Sequence, residues 1–219
     1  MVQLQLRQIR VPPGQRVQLE NISWTDFEAI LDELGEQRGT RIAYSNGILE
    51  IMAPLPEHET AKVFIGDFVK IMLDEMSVDW ISLGSTTFKQ QLMAAGIEPD
   101  DCFYIQNCER MVGRERLDLA VDPPPDLAIE VDLTSQTQIS AYVALRVPEV
   151  WCYDSGKLKI SVLRDDTYVD AKVSPNFPDL PLCEVIPQFI KRGQTEVMSS
   201  VRRAFQLYIK DYWSPLTRL

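Results

Sequence analysis

The stretch Pro124-Pro125-Asp126-Leu127-Ala128-Ile129-Glu130-Val131-Asp132-Leu133-Thr134-Ser135 alternates small or acidic residues at even positions with aliphatic ones at odd positions. A period of two is that of a β-strand. Leu127, Ile129, Val131 and Leu133 then form a packing face, and Asp126, Ala128, Glu130 and Asp132 line the opposite one. Same-face neighbours stand about 6.6 Å apart, so Glu130 and Asp132 can share one site, whereas Asp126, about 13 Å from Glu130, cannot serve the same ion. The competing reading is an edge strand whose acids face solvent.

The segments around this strand read as alternating helices and strands. Upstream, residues 1–20 suggest an extended arm broken at Pro12-Pro13-Gly14. Ser23 and Asp26 have the spacing of a capping arrangement, and Phe27, Ile30, Leu31 and Leu34 continue at helical spacing to Gly35. Arg41–Tyr44, an Asn46-Gly47 turn and Ile48–Met52 read as a hairpin. A long core helix starts near Glu57, with Ala61, Phe64, Ile65, Phe68, Met72 and Met76 on one stripe.

Residues 80–91 form a β-rich run in which Ser85, Thr87, Lys89 and Gln91 would share a face, and Asp100 sits at the entrance of a strand over 102–105. Residues 107–124 read as a charged loop, with Arg110, Arg114 and Arg116 offering a phosphate-facing alternative. Downstream come a helix over about 136–145, a second hairpin over 149–162, a strand over 168–173 and a last helix over 197–212. The fold class is therefore α/β (α+β), with a mixed sheet flanked by helices, an N-terminal helix and hairpin, and a C-terminal helix. One domain over 1–219 is expected, made of an N-terminal part to 55, a core over 56–165 and an extension over 166–219.

Composition limits the function. The chain has 219 residues, 45% of them hydrophobic, and no apolar run long enough to span a membrane, so a soluble, cytoplasmic protein is expected. Cys102, Cys108, Cys152 and Cys183 form no Cys-x-x-Cys pair and read as buried thiols. His58 is the only histidine, and no nucleophile elbow accompanies it, which argues against a hydrolytic triad. A net charge of −10 argues against a general nucleic-acid coat. The sequence also lacks a phosphate-loop or dinucleotide-binding signature.

Four segments in order carry a resemblance. They are Gly47–Glu59, Glu98–Ile105, Pro125–Ser135 and Val147–Asp154, and together they are similar to the Uma-type family of restriction endonucleases, within the PD-(D/E)XK nuclease superfamily. The resemblance implies a restriction endonuclease-like core and a Mg²⁺-dependent activity on DNA phosphodiesters, with Mn²⁺ as a substitute ion. It implies that Asp100 and Glu130, with the Val131 carbonyl, hold the ion, and that Glu57 is an auxiliary acid. Asp132 stands where nucleases of this superfamily commonly place a lysine, so the charge there is reversed and Asp132 becomes a candidate metal ligand. Residues 136–145 contain no Lys or Arg. Lys89 is the expected substitute, with Lys62, one helical turn beyond His58, as second choice.

Three readings follow: a Mg²⁺-dependent DNA endonuclease, an inactive nuclease fold serving as a binding or regulatory module, and a metal-dependent hydrolase of a small phosphoester. A homodimer is expected for a double-strand cutter.

Overall fold

The computed structural model describes residues 8–35, 39–114, 116–132 and 135–213, apart from the side chains of Pro56 and Glu57. Two sheets and six α-helices, among them the short α3 (Cys108–Met111), form within these residues. The first sheet is antiparallel and contains β1 (Arg16–Leu19), β2 (Arg41–Ser45), β3 (Ile48–Met52), β5 (Phe88–Gln90) and β6 (Ala95–Ile97), in the order β1-β3-β2-β6-β5 once β4 (Ile81–Ser82) is set aside. The second holds β4, β7 (Asp101–Tyr104), β8 (Leu127–Val131), β9 (Glu149–Asp154), β10 (Lys157–Arg164) and β11 (Thr167–Ala171), in the order β11-β10-β9-β8-β7-β4. Within it β8 and β9 run parallel and the remaining pairs antiparallel.

The alternating stretch becomes β8, but as a central strand. Every residue from Leu127 to Val131 is buried, which overturns the edge-strand reading. Leu127 and Ile129 join the core beneath α2 (Pro56–Glu75), α5 (Leu182–Arg192) and α6 (Met198–Trp213), while Ala128 joins the core shared with α4 (Gln136–Ala144). The first of these cores is aromatic: Phe68 stacks on Phe205 at 4.2 Å, and Phe189 meets Phe205 edge-on at 5.1 Å. Such pairs add to the area term of hydrophobic burial.

The core around α4 joins the two sheets. Ala43, Phe88, Ala95 and Ile97 of the first sheet pack with Cys102, Tyr104, Ala128 and Val150 of the second, and with Ala141, Tyr142 and Leu145 of the helix. On the far face of the first sheet, α1 (Trp24–Leu34) packs Phe27 and Leu31 on Ile42, Tyr44, Leu49 and Ile51. The expected capping box is present: Ser23 Oγ accepts the Asp26 amide, and Asp26 accepts the Ser23 amide. The order of layers is thus α1, first sheet, α4, second sheet, then α2 with α5 and α6.

Strand β6 pairs with β2 and with β5, and thereby draws residues 88–97 into the sheet of the β2–β3 hairpin. The β-rich run over 80–91 splits between the sheets, with β4 in one and β5 in the other. Helix α5, which the sequence reading passed over, contains Pro187 inside a strongly amphipathic face of Leu182, Val185, Ile186, Phe189 and Ile190. Cys102 and Cys108 are buried, as expected of the thiols, whereas Cys152 and Cys183 are half-buried.

Candidate active site between the two sheets

Strand parity decides which side chains meet. In β8, Glu130 lies on the same face as Ala128 and so points toward α4. Asp100 precedes β7, in which Cys102 and Tyr104 share that face while Phe103 packs on the other. The Asp100 amide donates to the Ile129 carbonyl at 3.1 Å, and Asp100 Oδ2 accepts the Val131 amide at 2.8 Å. The two acids are therefore tied to one another through the backbone of β8.

Both carboxyls are nearly excluded from water, with Asp100 5% and Glu130 4% exposed. Burial pushes the Glu130 carboxyl well above the ordinary range, and the neighbouring Asp100 charge pushes it further; the hydrogen bond from Tyr142 and the Arg41 charge oppose this. Burial also raises Asp100, against the Val131 amide and the charges of Arg41 and Lys62. Tyr142 Oη donates to Glu130 Oε1 at 2.5 Å, and burial beside that acid carries the phenol well above its usual value.

The cations come from two other elements. In β2, Ile42 and Tyr44 face α1 while Ala43 faces the inter-sheet core, and Arg41, of the same parity as Ala43, reaches Asp100, with Nε 3.6 Å from Oδ1. Its Nη2 lies 3.6 Å from Glu59 Oε1. From α2, Lys62 Nζ donates to Ser85 Oγ at 3.1 Å and stands 3.5 Å from Glu59 Oε2, while Ser85 Oγ donates to the Asp100 carbonyl at 3.1 Å. Glu50 of β3, between the outward Leu49 and Ile51, accepts from Ser135 Oγ at 2.6 Å and so ties the N-terminus of α4 to the first sheet.

The remaining sequence candidates lie elsewhere. Lys89 pairs with Glu28 of α1 at 3.0 Å, not with the buried acids. It stands opposite Gly96, where a Cβ would meet the Phe27 ring at 2.7 Å and Lys89 Cβ at 3.5 Å, so both residues face α1. The expected polar face through residues 85, 87, 89 and 91 does not form, because β5 spans only Phe88–Gln90. Lys62, the second choice, is the lysine beside Asp100.

Asp132 ends the alternation. Its φ of 66° is left-handed, its amide donates to the Tyr153 carbonyl at 3.0 Å, and it lines a cavity of about 490 Å³ with His58, Tyr153, Asp154 and Gln194. Asp126 serves the backbone, with Oδ2 accepting the Ile105 and Asn107 amides at 2.7 and 3.1 Å. The side chain of Glu57 lies outside the described residues. In the loop over 107–124, Arg114 pairs with buried Asp122 at 3.3 Å and Arg110 donates to the Val121 carbonyl at 3.3 Å.

Sequence reading missed Arg41, Glu50 and Tyr142. The signal for the first two was present, since Arg41 and Glu50 break an otherwise aliphatic hairpin on its inward parity. For Tyr142 no local signal existed, as its partner Glu130 is 12 residues away on another element.

Among the described residues no group of three His, Cys, Asp or Glu side chains is placed to hold a metal. Nor is any helix long and apolar enough to cross a membrane. No curated protein matches the chain. A solved structure from Anabaena variabilis, described as "a putative nuclease belonging to DUF820", is similar at a TM-score of 0.48 and 14% identity, over 84% of this chain and 99% of that one. A family model described as "Putative restriction endonuclease" matches residues 24–196, and the chain belongs to that family, Uma2.

Proposed function

We propose that this chain is a Mg²⁺-dependent endonuclease that hydrolyses DNA phosphodiester bonds between its two sheets. The observation that carries the reading is the buried Asp100–Glu130 pair, with Arg41 paired to Asp100 and Lys62 linked to the Asp100 carbonyl through Ser85. Two desolvated carboxyls side by side are relieved by a cation, and a hard, oxygen-seeking ion suits carboxylates where no thiolate or imidazole is offered.

The residues present fit such an ion. Asp100 Oδ2 is taken by the Val131 amide and Glu130 Oε1 by Tyr142, and these contacts orient both acids. Mg²⁺ retains several waters and needs only one or two protein carboxylates, so a pair suffices where no triad exists. Asp100 and Glu130 would hold it with the Val131 carbonyl, and Mn²⁺ would replace it. Asp132, turned into the cavity beside His58, is set aside as a ligand. A bound ion would supply a water of lowered pKa and polarise a phosphoryl oxygen.

The chain's own groups do the rest. Lys62, fixed by Ser85 and Glu59, takes the place of the missing lysine and stabilises charge gathering on the phosphate. Tyr142 holds Glu130 in one rotamer, and Glu50 fixes the start of α4 through Ser135. A two-fold homodimer would bring one site to each DNA strand.

A second reading has its own observation. The lysine position carries Asp132, and α4 from Gln136 to Ala144 holds no basic residue, which suits an inactive module that keeps the fold for binding. Calorimetric titration of Mg²⁺ and Mn²⁺ into the parent and Glu130→Gln, together with nicking of supercoiled plasmid, separates the two. Binding lost in Glu130→Gln with nicking by the parent supports the enzyme. Binding without nicking on any substrate supports the module, and equal binding by both proteins removes the acid pair from the site.

A further inference from the structure

The geometry points to Arg41 as a displaceable counter-ion, which rests on Asp100 in the metal-free protein and turns to an anionic phosphate when a divalent cation takes its place. The inference rests on the metal reading given above and assigns the residue that couples ion binding to substrate binding.

Three observations support it. Among the described residues, the buried side-chain polar atoms without a hydrogen-bond partner are Thr40 Oγ1, Arg41 Nε and His58 Nδ1, and Arg41 opens β2. Buried donors seldom go unpaired unless something else completes them. Next, Nε stands 3.6 Å from Asp100 Oδ1, so charge rather than a hydrogen bond holds the guanidinium to this acid, and moving Nε away breaks no hydrogen bond with Asp100. Finally, its Nη2 is 3.6 Å from Glu59, which is 47% exposed, so the fork extends from the buried acid toward solvent.

The chemistry of the candidate ligand follows from the donors. An unpaired Nε–H calls for an oxyanion, and a guanidinium suits phosphate in particular because its planar fork matches two oxygens. With a cation held at Asp100, the Arg41 guanidinium would be repelled, and a phosphate beside it would supply the acceptor that Arg41 Nε lacks. Binding of cation and of phosphate are then coupled, each strengthening the other.

The test uses the full-length protein and does not depend on turnover. Mn²⁺ is titrated calorimetrically into the parent, Arg41→Met and Arg41→Lys. Loss of the competing charge should tighten Mn²⁺ about tenfold in Arg41→Met, given the strength of unit-charge interactions at this range in a partly buried site. Arg41→Lys should stay close to the parent. With Ca²⁺ present, a fluorescent mixed-sequence DNA duplex should bind Arg41→Met more weakly than the parent, reversing the order seen for the metal.

Should Arg41→Met fail to fold, the parent, with Arg41→Lys for assignment, decides the matter. Its Arg41 Nε–Hε resonance, assigned through Arg41→Lys, should shift and exchange faster as Mg²⁺ is added. Equal or weaker Mn²⁺ binding by a folded Arg41→Met, or an Nε resonance unmoved at saturating Mg²⁺, overturns the counter-ion role and leaves the metal site standing. A parent that binds no divalent cation overturns the metal reading and this inference together.

Discussion

Tyr142 donates its hydroxyl to Glu130 Oε1 at 2.5 Å, joining α4 to the central strand of the second sheet through two side chains that are both buried. The contact lowers a carboxyl that burial otherwise raises. In Tyr142→Phe that restraint is gone and Glu130 holds its proton to higher pH. Mn²⁺ affinity at neutral pH should fall, by about tenfold for each 1.4 kcal/mol of added proton affinity. Titrations across a pH series should show parent and variant converging at high pH, where both carboxyls are ionised. Superimposable profiles would mean that Tyr142 does not tune the acid.

Lys62 and Lys89 give opposite expectations. Lys62 is bound to Ser85, whose hydroxyl reaches the Asp100 carbonyl, whereas Lys89 is paired with Glu28 on the far side of the first sheet. Lys62→Ala should slow plasmid nicking by about 10²-fold or more, the usual scale for one preorganised charge. Lys89→Ala should nick at the parent rate. If Lys89→Ala is the variant that fails, the placement of the substitute cation is wrong.

Glu149 provides the pH dependence away from the candidate metal site. It is 1% exposed and accepts from Trp151 Nε1 and Asn176 Nδ2, each at 2.6 Å, yet burial still raises its carboxyl above the ordinary 4.5. In the interval above 4.5 the folded chain binds more protons at this group than the unfolded one, so stability falls as pH rises. The contribution is complete below 4.5 and is lost as pH passes through the raised folded value. Glu149→Gln should remove this slope from the melting temperature measured against pH. It should also cost about 1–3 kcal/mol, because a Gln amide offers one acceptor oxygen where Trp151 and Asn176 donate to two. A variant with the parental slope would exclude Glu149 as its source.

Gly193 closes α5 against the ring of Phe64. A Cβ there would lie 2.3 Å from the ring, and Phe64 is 1% exposed within the aromatic core. The glycine has an ordinary helical φ of −62°, so the constraint is packing alone. Gly193→Ala should destabilise the fold by about 1–3 kcal/mol, the usual cost of overpacking, and Gly193→Ala combined with Phe64→Leu should recover part of it. Denaturant midpoints of the two variants and the parent check this; an unaltered midpoint in the single variant would show that the ring can move aside.

Local pattern was sufficient for most elements. The period of two gave β8, the Asn46-Gly47 pair gave the hairpin, and Ser23 with Asp26 gave the start of α1, because in each case the deciding forces act between near neighbours. It failed at α5, where Pro187 hides a helix that tertiary burial of Leu182, Ile186 and Phe189 sustains.

Asp100 and Glu130 were legible as candidate acids, but the groups around them were decided by how two sheets stack. Parity within β2 sends Arg41 inward, parity within β5 sends Lys89 outward, and the left-handed turn at Asp132 removes that acid from the face its position in sequence assigned to it. A strand pattern states which residues share a face and says nothing about which other face it will meet. That choice belongs to long-range packing: the burial of Tyr142 and Ala141 against both sheets brings Glu130 under a phenol and Asp100 beside an arginine some 60 residues earlier in the chain.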